Sequence, residues 1–151
     1  MTDAPKTIVA AVDGSDAMER TVGLAGALAN SIGARLLLVY IISDDKSMAS
    51  DLSGYDRDVS QDKLREGRRE KAESVLDTAQ QKAIEAGVQG IERRIETGHD
   101  PAHEIIKIVD QLESPMVVVG RRGLSTFGEL LVGSVSHKLT HYCRCPVTVV
   151  T

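Results

Sequence analysis

The sequence predicts an α/β protein: a doubly wound sheet of five parallel strands in the order 3-2-1-4-5, with helices on both faces. Five apolar, β-branched runs alternate with four segments of helical periodicity, which is the pattern of a parallel sheet with helical crossovers. The connections are short, and such crossovers are right-handed. The core must be built from aliphatic side chains, because the chain has one Phe, three Tyr and no Trp.

Length and composition suit one ordinary globular domain, and we expect residues 1–151 to form it. Hydrophobic residues make up 42% and charged residues 26%, which argues against a disordered chain. The net charge of −4 argues against nucleic acid as a partner. No apolar run approaches the roughly 20 residues of a membrane-spanning helix. The N-terminus lacks the pattern of a signal peptide, and Cys143 and Cys145 are too close to staple a fold, so we expect a cytoplasmic location.

Five runs have the length and β-branching of buried strands. We expect them at residues 7–12, 36–42, 88–96, 116–119 and 146–150. The third run shows more alternation of apolar and polar residues than the others, which favours a position at a sheet edge. An unpaired apolar strand such as the fifth is a surface that a protein must cover.

Two helices have clear end signals. The first follows a turn in which Asp16 and Glu19 resemble a capping box, and Gly33 ends it. For the third helix, Asp100 has the chemistry of an N-cap and Pro101 that of a first helical position.

The second helix is harder to delimit. Residues 43–61 are polar, and we expect an exposed loop there. The helix then runs to about Ala86, and its densely charged first turns, 62–71, are typical of a solvated face.

Glycines dominate the segment that joins the fourth strand to the fourth helix. Gly120 ends the apolar run, Gly123 follows, and Gly133-Ser134 stands where a helical pattern begins. Glycines let a backbone approach an anion closely, and a helix start offers free N–H groups and the positive end of its dipole. Strand, glycine loop and helix start therefore predict a phosphate site.

Two other glycine motifs can be excluded. Residues 128–135 lack the lysine of a P-loop, and no G-x-G-x-x-G follows the first strand, as a dinucleotide site would require. The remaining pattern is G-x2-G-x9-G-S. In the predicted strand order, Asp13 and Gly120 face each other at the carboxyl edge of the sheet, where ligands of such folds bind. This convergence favours a nucleotide site.

Four stretches carry a resemblance that covers essentially the whole chain. They are Ile8–Ser15, Gly98 with Pro101-Ala102 and Ile105-Ile106, Gly120-x2-Gly123-x9-Gly133-Ser134, and Cys145–Val147. Together they resemble the universal stress protein family in its ATP-binding class. The third stretch is the motif that separates the ATP-binding members of this family from the members that lack it.

The resemblance implies an ATP site with named residues. For the adenosine it implies Ala11, Val12, Asp13, Ile41, Val119 and Gly120. For the phosphates it implies Arg122, Gly123, Gly133, Ser134, Val135 and Ser136. Simpler roles stay open, since Asp13 could form only a turn, Ser134 could only cap its helix, and Arg121-Arg122 could be a solvated pair.

The resemblance also implies a homodimer, or a higher oligomer, paired through the last strand, 146–150. The ligand would be ATP, with ADP or AMP as alternatives, and Mg²⁺ or Mn²⁺ would be held mainly through its phosphates. We predict no catalytic residues and no metal held by the protein. His137, His141, Cys143 and Cys145 spell H-x3-H-x-C-x-C, but this arrangement does not suit four-fold zinc coordination.

Three functions follow as hypotheses. The first is an ATP-binding regulatory protein of stress or transport adaptation, in which nucleotide occupancy changes contacts with a second copy or with a partner such as a transporter or an enzyme. The second is slow ATP hydrolysis or autophosphorylation, although no general base or lysine clamp is evident beside the phosphate loop. The third is a nucleotide-free dimeric scaffold, or a binder of AMP or cyclic AMP.

Overall fold

A computed structural model describes residues 3–44, 54–121 and 133–151, with backbone alone for 54–59. The strands are β1 (Thr7–Ala11), β2 (Arg35–Ser43), β3 (Ile91–Gly98), β4 (Pro115–Gly120) and β5 (Val147–Val150). The helices are α1 (Met18–Ile32), α2 (Gly54–Glu85), α3 (Pro101–Val109) and α4 (Ser134–Tyr142). Strands and helices alternate along the chain as the sequence predicts.

The five strands form one sheet in the order β3-β2-β1-β4-β5, and every neighbouring pair is parallel. The predicted fold class is confirmed. Thr7 of β1 pairs with Arg35 of β2 on one side and with Pro115 of β4 on the other. The centre of the sheet is thus built from strands far apart in sequence.

A hydrophobic core covers each face of the sheet. Ile8 and Ala10 of β1 pack on one face against α1 and α2, whereas Val9 packs on the other face against α3 and α4. Both faces of β1 are therefore buried. This explains why the central strands are apolar at every position rather than at alternate ones.

The helix ends agree with the sequence in two of three places. Gly33 ends α1 with a φ of 69°, and Asp100 caps α3 by accepting a hydrogen bond of 3.1 Å from the Ala102 N–H. The capping box at Asp16 is wrong, because α1 has Ala17 at its N-cap and makes no side-chain cap bond. The turn before α1 is closed earlier instead, by the Ser15 N–H donating to Asp13 Oδ1.

The helix α2 begins before the predicted point. The expected loop at 43–61 is wrong from residue 54 onward, where the backbone is already helical; residues 45–53 lie outside the described part. With 32 residues the helix is about 48 Å long. Residues 60–71 have no buried side chain, and the packed face begins at Ala72. Alternating charges, as between Arg69 and Glu73, allow such an unpacked turn to stay helical.

The strand β3 lies at a sheet edge, as expected, but it begins at Ile91 rather than Val88. Val88 belongs to the end of α2 instead: its N–H donates to Ala83 O, and its side chain is buried in the core beneath α1 and α2.

Candidate functional site

A cavity of about 420 Å³ lies at the carboxyl edge of the sheet. It opens where β1, β2 and β4 end and where α1, α3 and α4 begin. Crossover helices run back along the sheet, so their first turns meet the last residues of the strands at this edge. The cavity therefore occupies the position at which the sequence predicts a ligand.

Ten of the twelve predicted site residues line this cavity. They are Ala11, Val12, Asp13, Ile41, Val119, Gly120, Gly133, Ser134, Val135 and Ser136. The other two, Arg122 and Gly123, lie outside the described residues. The structure thus brings together two groups of predicted residues that are more than a hundred positions apart in the chain.

Eight further residues line the cavity that sequence reasoning did not name. They are Ser15, Met18, Thr21, Val39, Tyr40, Ser43, Pro101 and Ile105. Most lie in first helical turns or at the end of β2. The topology alone would have indicated them, because every strand end and helix start at this edge is a candidate for the lining.

One part of the cavity is apolar. Ala11, Ile41 and Val119 project from the sheet toward the face that α3 covers, where Ile105 packs in the same core. Pro101 adds the start of α3 to this wall. Such a surface can hold a flat apolar ring between aliphatic side chains.

Another part of the cavity is formed by the start of α4. Gly133 is the N-cap residue, with φ −66° and ψ 162°, and no side chain of the described residues caps the helix there. The N–H groups of the first turn have no partner within their own helix. Together with the positive end of the helix dipole, these groups are suited to an anion.

The side chain of Ser136 is used within the protein. It is 1% exposed, and its hydroxyl donates to the carbonyl oxygens of Arg121 at 2.9 Å and Gly133 at 3.0 Å. The Gly133 N–H also donates to Arg121 O. Ser136 therefore ties the end of β4 to the start of α4, and in this state its hydroxyl is not directed to a ligand.

Asp13 and Tyr40 stand beside each other where β1 and β2 end. Burial raises the pKa of the Tyr40 phenol, and the charge of Asp13 raises it further. The phenol is thus a hydrogen-bond donor at neutral pH, while Asp13 provides acceptors. A ligand with hydroxyl groups would find both kinds of partner here.

Asp100 and Lys138 connect the starts of α3 and α4. The Lys138 Nζ lies 2.6 Å from Asp100 Oδ2. The hydrogen bond from Lys138 is the main reason that the pKa of Asp100 is lowered, and the Ala102 and His103 N–H groups add to it. The Asp100 carboxylate is therefore charged at neutral pH.

The H-x3-H-x-C-x-C motif divides into two pairs. The rings of His137 and His141 stack with centroids 5.9 Å apart on α4. Cys143 and Cys145 are free, partly buried thiols, and burial raises the pKa of Cys143 to about 12. Across residues 3–44, 54–121 and 133–151, no group of three or more His, Cys, Asp or Glu side chains is arranged to hold a metal ion.

The Universal stress protein family matches the chain over residues 5–151. This chain belongs to that family. Its relatives include the Universal stress protein YxiE of Bacillus subtilis, which is 32% identical over 145 residues, 95% of this chain and 97% of the relative.

Solved structures of universal stress proteins share the fold. UspA from Lactobacillus plantarum superposes with a TM-score of 0.80 at 22% identity, over 99% of this chain and 100% of that one. A universal stress protein in complex with cAMP superposes with a TM-score of 0.72 at 26% identity, over 98% of both chains. At least one structural neighbour thus binds a nucleotide.

In the part of this family member that the structure describes, no helix is both long enough and apolar enough to cross a membrane.

Proposed function

We propose that this chain is an adenine-nucleotide-binding regulatory protein of the cytoplasm, with ATP as the first candidate ligand. The observation that carries the proposal is the cavity, which is lined both by an apolar wall and by a helix start that no described side chain caps. A nucleotide combines the two matching features, a flat base and phosphate.

The apolar wall suits the adenine ring, and the first turn of α4 suits the phosphates. Ile41 and Val119 would contact the ring, and Asp13 would accept a hydrogen bond from a ribose hydroxyl. The N–H groups of residues 134–136 would donate to phosphate oxygens. Mg²⁺ or Mn²⁺ would then be bound mainly through the phosphates themselves.

Cyclic AMP or AMP is the second candidate ligand, and the relative solved in complex with cAMP favours it. The cavity has the features that all these ligands need, namely a slot for the base and amides for at least one phosphate. What separates them is the amount of phosphate charge that the start of α4 can hold.

Regulation would act through a homodimer paired along β5. The two sheet edges differ in character, which supports this pairing. The edge strand β3 carries Glu92, Arg93, Arg94 and Glu96, and charges of this kind keep an edge from pairing. The edge strand β5 is Val147–Val150, without a charge. Nucleotide would change these contacts, or those with a partner such as a transporter or an enzyme, only if its affinity differs between the two states.

The test is to denature the purified protein and identify any released nucleotide by chromatography. We expect wild-type protein to release an adenine nucleotide, and the double variant Gly123→Val with Ser134→Ala to release none. The matched control is Gly23→Val with Ser31→Ala on α1, where a Cβ added at Gly23 meets no atom within 4 Å.

Titration calorimetry with ATP, AMP and cyclic AMP then ranks the ligands. Failure of wild-type protein to release or bind any of them would contradict the proposal and favour a nucleotide-free scaffold. Binding that is equal in both double variants would place the site elsewhere.

A further inference from the structure

The ion pair between Asp100 and Lys138 joins the start of α3 to the second turn of α4, and both elements contribute residues to the cavity, although neither member of the pair lines it. Asp100 directly precedes Pro101, which belongs to the apolar wall, and it caps α3. Lys138 follows Ser134 by four residues, so both stand on the same side of α4. Side chains on a helix lean toward its N-terminus, which directs the Lys138 stem toward the proposed phosphate end.

Stability is not what this ion pair mainly provides. The side chains are 39% and 45% exposed, and pairs of that kind contribute little to the free energy of folding. Its effect on charge is larger. Lys138 is the basic residue of α4 outside the histidines, and Asp100 neutralises it one turn from the helix start that would receive phosphate.

We propose that the Asp100–Lys138 pair sets the preference of this site among adenine nucleotides according to their phosphate charge. The inference rests on the proposed function. While Asp100 holds the Lys138 ammonium, this side chain adds little net positive charge to what the N–H groups and the dipole of the helix start already offer. A nucleotide with a single charge then competes well with ATP. When the charge of the Asp100 carboxylate is removed, Lys138 contributes a full positive charge. This charge attracts ATP more strongly than cyclic AMP, because ATP carries more negative charge.

Asp100→Asn is the variant that isolates this effect. Asparagine caps a helix about as well as aspartate, so α3 keeps its start, while the negative charge is removed. One unit of charge within about 10 Å of a partly exposed phosphate should change the relative affinity for ATP over cyclic AMP roughly threefold. The measured quantity is the ratio of the two dissociation constants, from titration calorimetry at low ionic strength.

Three further variants define the cause. Lys138→Gln should shift the ratio toward cyclic AMP. In the double variant, the ratio should return close to the wild-type value, because both charges of the pair are gone. Glu113→Gln is the charge-matched control, since Glu113 pairs with Lys6 at the opposite edge of the sheet, before β1 and β4 begin.

A purely structural role would change both dissociation constants by the same factor and leave their ratio constant. That outcome, or a shift of the ratio as large in Glu113→Gln, would overturn the inference while leaving the nucleotide site intact. If wild-type protein binds neither nucleotide, the proposed function fails and the inference fails with it. A ratio that shifts toward ATP in Asp100→Asn, shifts toward cyclic AMP in Lys138→Gln and returns close to the wild-type value in the double variant would support it.

Discussion

The hydroxyl of Ser136 shows how a side chain in a cavity wall can be used for bonds to the protein's own backbone. The resemblance to the universal stress protein family implies this serine as part of a phosphate cradle. In the structure, its side chain is buried and donates to two backbone carbonyls, one at the end of β4 and one at the start of α4. Its contribution is to fix the distance between these two elements, and no pattern of residue types in the sequence indicates which carbonyls a hydroxyl will find.

Ser136→Ala removes the buried hydroxyl and its hydrogen bonds, and should lower the free energy of unfolding by about 1 kcal/mol. The loss is limited because the carbonyls of Arg121 and Gly133 still accept from the N–H groups of Gly133 and His137. The control is Thr140→Ala on the same helix, whose exposed hydroxyl also donates to a backbone carbonyl. Its effect should stay within about 0.5 kcal/mol. Urea unfolding monitored by circular dichroism measures both, and equal losses in the two variants would argue against a special role for Ser136.

At the scale of elements, two aspartates that look alike in sequence behave differently. Asp100 and Asp16 both stand before a helix, and both have the chemistry of a cap. Asp100 accepts from the Ala102 N–H, whereas α1 makes no side-chain cap bond. The difference arises from the turn before α1, in which the Asp13 carboxylate, and not that of Asp16, accepts a hydrogen bond from the backbone, namely from the Ser15 N–H.

Asp100→Ala should therefore lower the free energy of unfolding by about 1 kcal/mol at neutral pH, and Asp16→Ala by only a few tenths. The Asp100 contribution also has a pH window. Because its pKa is lowered in the folded protein, the contribution is complete above the unfolded value, near 3.8, and is lost as the pH falls through the lower folded value. Urea titrations at neutral and acidic pH should show the wild type and Asp100→Ala converging in acid. A constant gap would mean that the cap, and not the charge, is responsible.

The sequence was sufficient for the sheet order and for the end of α1 at Gly33, because each depends on a local signal or on a rule of parallel topology. Most of the ten cavity residues were instead implied by the resemblance to the universal stress protein family. The sequence was insufficient for the start of α2. Residues 54–61 are polar enough to form a loop, and their helicity depends on continuation from the packed turns after Ala72. It also did not assign Tyr40 and Pro101 to the cavity, because Tyr40 belongs to no motif and Pro101 was interpreted only as the start of α3.

At the scale of the whole molecule, the contrast between the two sheet edges bears on assembly. The Val117 N–H donates to Pro146 O, and the Arg121 N–H donates to Val150 O. The carbonyl groups of Pro146, which directly precedes β5, and of Val150 at its end therefore face β4. In a parallel pair the intervening residue directs its backbone groups the other way. The N–H of Val149 is thus on the open edge, and a second copy could pair there.

Val149→Pro should convert the proposed homodimer into monomers, since proline removes an N–H that faces outward and spares the bonds to β4. Val149→Ala is the control, because it shortens the same side chain and keeps the N–H. Sedimentation equilibrium measures the mass of each. A dimer that persists in Val149→Pro, with the fold intact by circular dichroism, would show that the copies meet through another surface.

The pairing of β1 with β4 also has a consequence for the time at which the cavity comes into being. Thr7 of β1 can pair with β4 only after Pro115 has been synthesised. Contacts between residues so far apart in sequence form slowly. On the ribosome, the first three strands and their helices can emerge while β1 still lacks β4, its neighbouring strand on one side. The cavity is complete only when residues as late as Ser136 have been made. A small molecule that binds there would act on the last step of folding and would leave the early steps unchanged.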